Sequence, residues 1–170
     1  FVLSGWLMAR LLFEQEVPIP TFYRRRISRI VPAQLTFVTA VVVWFALGGR
    51  SIDWTEVAAA ALFVNNYVQA TMQDATMPFG HIWSLCVEEH SYIILSLVAV
   101  AARRRWLRPK YAVAALAAMS ALIGILYWTR FSGRELTFVM GPRSEVAAYG
   151  IFLSAALMIH FRERGMPQLP

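Results

Sequence analysis

Arg103-Arg-Arg-Trp-Leu-Arg-Pro-Lys-Tyr-Ala-Val-Ala-Ala-Leu-Ala-Ala-Met-Ser-Ala-Leu-Ile-Gly-Ile-Leu-Tyr-Trp-Thr129 decides how the rest of the chain is read. Tyr111 to Thr129 carries no charge. A run of this length matches the roughly 20 residues that a helix needs to cross a bilayer. Ahead of it stand Arg103, Arg104, Arg105, Arg108 and Lys110, with no acid among them. Basic residues packed against an apolar run mark the cytoplasmic end of a span.

Further apolar runs lie to either side. Ile30 to Gly49 is long enough to cross. Val57 to Gln73 is borderline and carries Asn65, Asn66 and Gln69. Ile82 to Ala102 is apolar except for Glu88, Glu89 and His90, and Val146 to Phe161 is short. These lengths favour helices over barrel strands. Phe1 to Ala9 is too short to cross and lacks the basic start of a signal peptide. It reads as the second half of a helix, and the chain as a fragment of a longer protein. The fold expected is all-α: a multi-pass transmembrane bundle of about four full spans, a partial first helix and a re-entrant segment, all in one partial domain over residues 1–170.

Composition agrees. Hydrophobic residues make up 58% and charged residues 15%, against about 45–50% and 25% in soluble proteins. Mean hydropathy is +0.53. The single cysteine, Cys86, excludes an intrachain disulfide scaffold. A net charge of +6 suggests nucleic acid in a polar protein. Here 12 of the 16 basic residues fall in segments 10–29, 103–110 and 161–170, between apolar runs. That pattern indicates membrane loops and no nucleic-acid partner. It assigns those three segments to the cytoplasm, and 50–56 and 130–143 to the outside. Spans 30–49 and 82–102 then leave and return, so 57–73 enters and turns back on the outer side. A full crossing is the alternative.

The strongest chemical signal is His81-Ile-Trp-Ser-Leu-Cys-Val-Glu-Glu-His-Ser-Tyr92. A carboxylate at mid-helix in lipid costs about 2.5–3.5 kcal/mol even on a lenient scale, so Glu88 and Glu89 must face a cavity or a partner. On a helix that includes His81, the residues His81, Ser84, Glu88 and Tyr92 form one stripe. The glutamates either line a reaction site or pair with arginines of neighbouring helices. Glu89-His90 lacks metal-ligand spacing, so no metal is expected. Ser4 and Ser84 lack a nucleophile elbow. In Phe22-Tyr-Arg-Arg-Arg-Ile-Ser-Arg-Ile-Val-Pro32, four arginines within six positions suit phosphate. From composition alone they read as a cytoplasmic anchor on anionic lipid. Arg143 and Glu145, before the last span, are either acceptor ligands or an interfacial helix end.

Three segments in order resemble the acyltransferase-3 family of multi-pass membrane proteins. They are Phe1-Val-Leu-Ser-Gly5, the arginine segment with Arg26 and Arg29 as its Arg-x-x-Arg pair, and His81-Ile-Trp-Ser-Leu-Cys-Val-Glu-Glu89. The resemblance covers about the first half of a family member. It implies transfer of an acyl group, acetyl being expected, from cytoplasmic acyl-CoA to a hydroxyl of an extracytoplasmic carbohydrate. Acyl-CoA is then a substrate, and no cofactor is expected. Arg26 and Arg29 become the acyl-CoA ligands, His81, Glu88 and Glu89 the catalytic candidates, and Arg143 and Glu145 the acceptor ligands. A bacterial inner membrane is the implied location.

Two departures stand out: His90-Ser91-Tyr92 replaces the usual Gln-Phe-Tyr, and Arg143-Ser-Glu145 the usual Arg-x-Asp. The family's essential histidine belongs to a helix before Phe1, so the fragment alone is expected to be inactive. A transporter or flippase with intramembrane carboxylates, and a non-catalytic membrane scaffold, are the other classes that the residues allow.

Overall fold

The computed structural model describes residues 1–71, 77–130 and 143–164. Every regular element among them is helical. In chain order they are α1 (Val2–Ala9), a π-helical turn (Arg10–Glu14), α2 (Ile19–Leu47), α3 (Trp54–Ala61), α4 (Asn65–Thr71), a 3-10 turn (Gly80–Ile82), α5 (Trp83–Arg103), α6 (Pro109–Arg130), α7 (Ser144–Ala147) and α8 (Tyr149–Arg164). Among the described residues, four stretches are long and apolar enough to cross a membrane: Ile19–Leu47, Gly80–Arg103, Pro109–Arg130 and Ser144–Arg164. The chain is an integral membrane protein with the multi-pass all-α architecture expected.

Helix α2 begins well before the expected span at Ile30. Pro20 sits in its first turn, where a missing N–H costs nothing. The arginines that follow are good helix formers. At about 1.5 Å per residue the helix spans about 43 Å, against about 30 Å of hydrocarbon. The helix is therefore longer than the layer is thick.

Residues 57–71 do not form one helix. Asp53 caps α3 by accepting the N–H groups of Thr55 at 2.8 Å and Glu56 at 3.2 Å, an interaction worth about 1 kcal/mol. The chain then breaks at Phe63, which adopts a left-handed φ of 58°, and restarts as α4. With eight and seven residues, neither helix can cross alone. Irregular backbone at membrane depth needs polar partners inside the protein. Gln34 donates to the Ala60 carbonyl at 3.0 Å, and Asn65 and Gln69 donate to that of Phe79 at 3.0 and 2.9 Å.

Helix α5 packs against α1, α4, α6, α7 and α8. It has an apolar core on either side. One joins Met8, Leu12, Leu95, Val113 and Ile151; the other joins Val38, Phe45, Phe79 and Cys86. Helices α1 and α8 touch at Gly5, where an added Cβ would overlap the Ile151 carbonyl and Ser154 Oγ. Small residues allow this approach between membrane helices. The carbonyls that follow α1 are held by distant arginines. Arg103 donates to Leu12 at 3.2 Å and to Val17 at 3.0 Å, and Arg162 donates to Phe13. Helix α6 turns Met119, Leu122, Ile125, Leu126 and Trp128 outward, a surface suited to lipid and not to water.

Candidate active site

Glu88, Glu89 and His90 are consecutive on α5. Neighbours on a helix point about 100° apart, so the three cannot share one environment. The glutamates face α1 and α2, and His90 faces α4 and α7.

Ser4 Oγ donates to Glu88 Oε1 at 2.8 Å, and the Tyr92 hydroxyl donates to Glu88 Oε2 at 3.2 Å. Arg26 Nη2 lies 3.9 Å from that oxygen and 2.6 Å from Glu89 Oε1, to which Arg26 Nε also donates at 2.7 Å. The guanidinium stacks over the Tyr92 ring, 3.9 Å from its centre, a further attraction for a desolvated cation. One cation thus serves two carboxylates. Arg26 comes from the arginine-rich first turns of α2 and reaches both carboxylates on α5.

The cluster lines a cleft of about 540 Å³, whose wall includes Ser4, Arg25, Arg26, Arg29, Glu88 and Tyr92. Arg25 and Arg29 stand one helical turn apart and are exposed. Arg26, one of the two arginines expected to meet phosphate, has its guanidinium directed at the carboxylates. Arg25 was not singled out from the sequence. A second cleft of about 310 Å³ opens beyond Arg26, walled by Ile27, Ile30, Leu62 and Phe63 and reaching Glu89 and His90.

On the other face, His90 Nδ1 lies 2.7 Å from Ser144 Oγ, which also accepts from Asn66 Nδ2 at 3.0 Å. The Tyr67 ring stacks on His90 with centres 5.8 Å apart. The Tyr67 hydroxyl donates to Glu145 Oε2 at 3.1 Å, and Arg143 pairs with Glu145 Oε1 at 3.2 Å. Partial burial pushes the Tyr67 phenol above its ordinary pKa, and the Glu145 carboxylate adds to the rise. Tyr67 is therefore a protonated donor at neutral pH.

His81 is placed apart from the glutamates. Helix α5 starts at Trp83, and His81 sits exposed in the preceding 3-10 turn, edge-on to Phe37 at 5.0 Å. The stripe that forms is Ser84, Glu88 and Tyr92. Among the described residues His81 has no hydrogen bond or ion pair with Glu88, and no cluster of three or more His, Cys, Asp or Glu could hold a metal.

The family described as an acyltransferase domain, acyltransferase-3, matches residues 1–168. The chain belongs to the acyltransferase-3 family. Among its curated relatives are the O-acetyltransferases OatA of Staphylococcus aureus strains NCTC 8325 / PS 47 and COL. Each is 35% identical over 113 residues, which cover 58% of this chain and 19% of the relative. The chain spans about a fifth of the length of those relatives. No solved structure gives a significant match. Within this acyltransferase-3 chain, Ser4 contacts Glu88, and Asn66, Tyr67 and Ser144 gather with His90 and Glu145, contacts that the sequence reading did not anticipate. Ser4 carried one usable signal: a hydroxyl in an otherwise apolar helix, in a chain whose buried carboxylates need donors.

Proposed function

We propose that the complete protein is a membrane O-acyltransferase. It moves an acyl group, with acetyl the first candidate, from cytoplasmic acyl-CoA to a hydroxyl of an extracytoplasmic carbohydrate. The observation that carries this reading is the Arg26–Glu88–Glu89 cluster, of which Arg26 and Glu88 line a cleft whose wall also carries Arg25 and Arg29. Exposed guanidinium groups suit the donor's phosphates, with Arg29 foremost and Arg26 behind it. The donor's carbonyl then lies towards Glu88 and Glu89, the side chains assigned to orient or charge-balance a base. His81, Arg143 and Glu145 are assigned to the acceptor. The O-acetyltransferase activity in the relatives' names favours acetyl and a hydroxyl acceptor.

The test is Glu88→Gln in the complete protein, with acceptor acylation measured in cells lacking the native enzyme. Gln keeps the shape but cannot stabilise a developing cation. Accumulation should stay normal while transfer falls at least about 100-fold. Glu89→Gln should act in the same direction, and Arg29→Lys should weaken acyl-CoA binding because lysine lacks the planar fork. Near-normal transfer by both glutamine variants would leave a purely structural cluster.

The proposed setting is a bacterial inner membrane, with 10–29, 103–110 and 161–170 in the cytoplasm. Arg105→Cys in a Cys86→Ser background should react with an impermeant reagent only after the cells are opened. Labelling in intact cells would reverse the orientation.

A further inference from the structure

The corner between α5 and α6 concentrates positive charge that the bundle does not use. Residues 104–108 join the two helices, and Arg104, Arg105, Trp106 and Arg108 are exposed there. The basic residues that flank them are occupied. Arg103 donates to the carbonyls of Leu12 and Val17, and Lys110 pairs with Glu163 at 3.1 Å. Arg104, Arg105 and Arg108 form no ion pair among the described residues. Like charges on so short a link repel one another, so this corner favours an anion from outside the chain.

The backbone adds an independent sign. Helix α5 ends in a Schellman turn: Arg105 N–H donates to the Ala102 carbonyl at 2.9 Å, and Trp106 N–H to that of Ala101 at 3.0 Å. Such a turn needs a left-handed residue just past the helix, a place that glycine usually takes because it has no Cβ. Arg105 takes it here, with φ 59°. A charged side chain therefore stands where the turn by itself favours none, and it forms no ion pair with the rest of the fold.

The surroundings indicate what the charge meets. Both helices belong to stretches long and apolar enough to cross a membrane, so a link this short stays at the bilayer surface. Trp106 is 72% exposed, and indole rings collect at the headgroup level of a bilayer. The Arg104 guanidinium lies over that ring, 5.2 Å from its centre, which holds a cation beside an aromatic anchor. Guanidinium groups grip phosphate oxygens in pairs. A soluble phosphate compound would account for the arginines but not for the exposed indole. A phospholipid of net negative charge accounts for both.

We propose that residues 104–108 form a binding site for anionic phospholipid, with Arg104, Arg105 and Arg108 on the headgroup and Trp106 against the top of the acyl chains. The bound lipid fastens the α5–α6 corner to the membrane surface. The site is separate from the cleft beside Glu88 and does not rest on the acyltransferase reading.

The experiment titrates the purified complete protein, in neutral detergent, with phosphatidylglycerol or phosphatidylcholine. Native mass spectrometry counts bound lipid, and the unfolding midpoint is followed in parallel. Phosphatidylglycerol should bind more tightly than phosphatidylcholine and raise the midpoint. Each cation near the headgroups is worth about fivefold in affinity. Arg104→Gln combined with Arg108→Gln should then weaken phosphatidylglycerol about 25-fold and leave phosphatidylcholine unchanged. Arg105→Gly should weaken it about fivefold, while its lipid-free midpoint stays level or rises because glycine fits the turn. The double variant keeps Arg105 in place and so decides the matter even if the glycine variant folds poorly. Equal binding of the two lipids by the native protein, or unchanged phosphatidylglycerol affinity in the double variant, would overturn the site. Displacement of phosphatidylglycerol by inorganic phosphate would make it a site for free phosphate and overturn the lipid assignment.

Discussion

The two faces of α5 solve the same problem differently. Towards α1 and α2, Glu88 and Glu89 bring charge into the bundle, and only a charge from another helix can answer it. Towards α4 and α7, His90, Ser144 and Asn66 form a neutral network in which each group satisfies the next. Desolvated ions cost several kcal/mol each and are recovered only with good geometry. A neutral hydrogen bond contributes about 1 kcal/mol net. The charged face should therefore be fragile above all to the loss of its shared cation, Arg26. The neutral network should tolerate single substitutions in its folded state.

Removing the shared cation is the most severe way to test that contrast. Arg26→Gln leaves two carboxylates facing each other and should cost about 3 kcal/mol or more, read as a lower unfolding midpoint in detergent and reduced accumulation. Adding Glu89→Gln to that variant should recover much of the loss. If the double variant is as unstable as Arg26→Gln, the pairing is not what holds α2 to α5. Next comes Ser4→Ala, which deletes a hydroxyl bound to a carboxylate. A hydrogen bond to a charged group is worth about 1.5–3 kcal/mol, and the same thermal measurement should show a loss in that range. Smallest is Asn66→Ala on the neutral face, with about 1 kcal/mol expected. A larger loss for Asn66→Ala than for Ser4→Ala would invert the contrast.

Much of this arrangement was legible in the residues. Apolar run lengths and clustered arginines gave the spans. Asn65 and Asn66 marked the place where 57–73 breaks, because polar side chains at membrane depth are needed where backbone groups lose their helical partners. Glu88 and Glu89 announced that partners must exist. Which arginine would answer them was not legible. Arg24, Arg25, Arg26 and Arg29 differ only in phase on a helix, and that phase matters only once α2 is known to start at Ile19. Ser4 and Ser144 were out of reach for a related reason. They lie 84 and 54 residues from the side chains they contact, and no local pattern encodes so distant a pairing. His81 was displaced from the expected stripe because the helix begins two residues after it.

The contact at Gly5 also bears on how the bundle is assembled. Its counterpart, Ile151, is translated 146 residues later, which at about 5–20 residues per second means a wait of roughly 7–30 seconds. During that interval α1 sits in the membrane without its neighbour. The carbonyls of Leu12 and Val17 wait for Arg103, and that of Phe13 for Arg162. Helix α8 therefore closes this contact, and a nascent chain stopped before α8 should leave α1 accessible to chaperones and quality-control proteases.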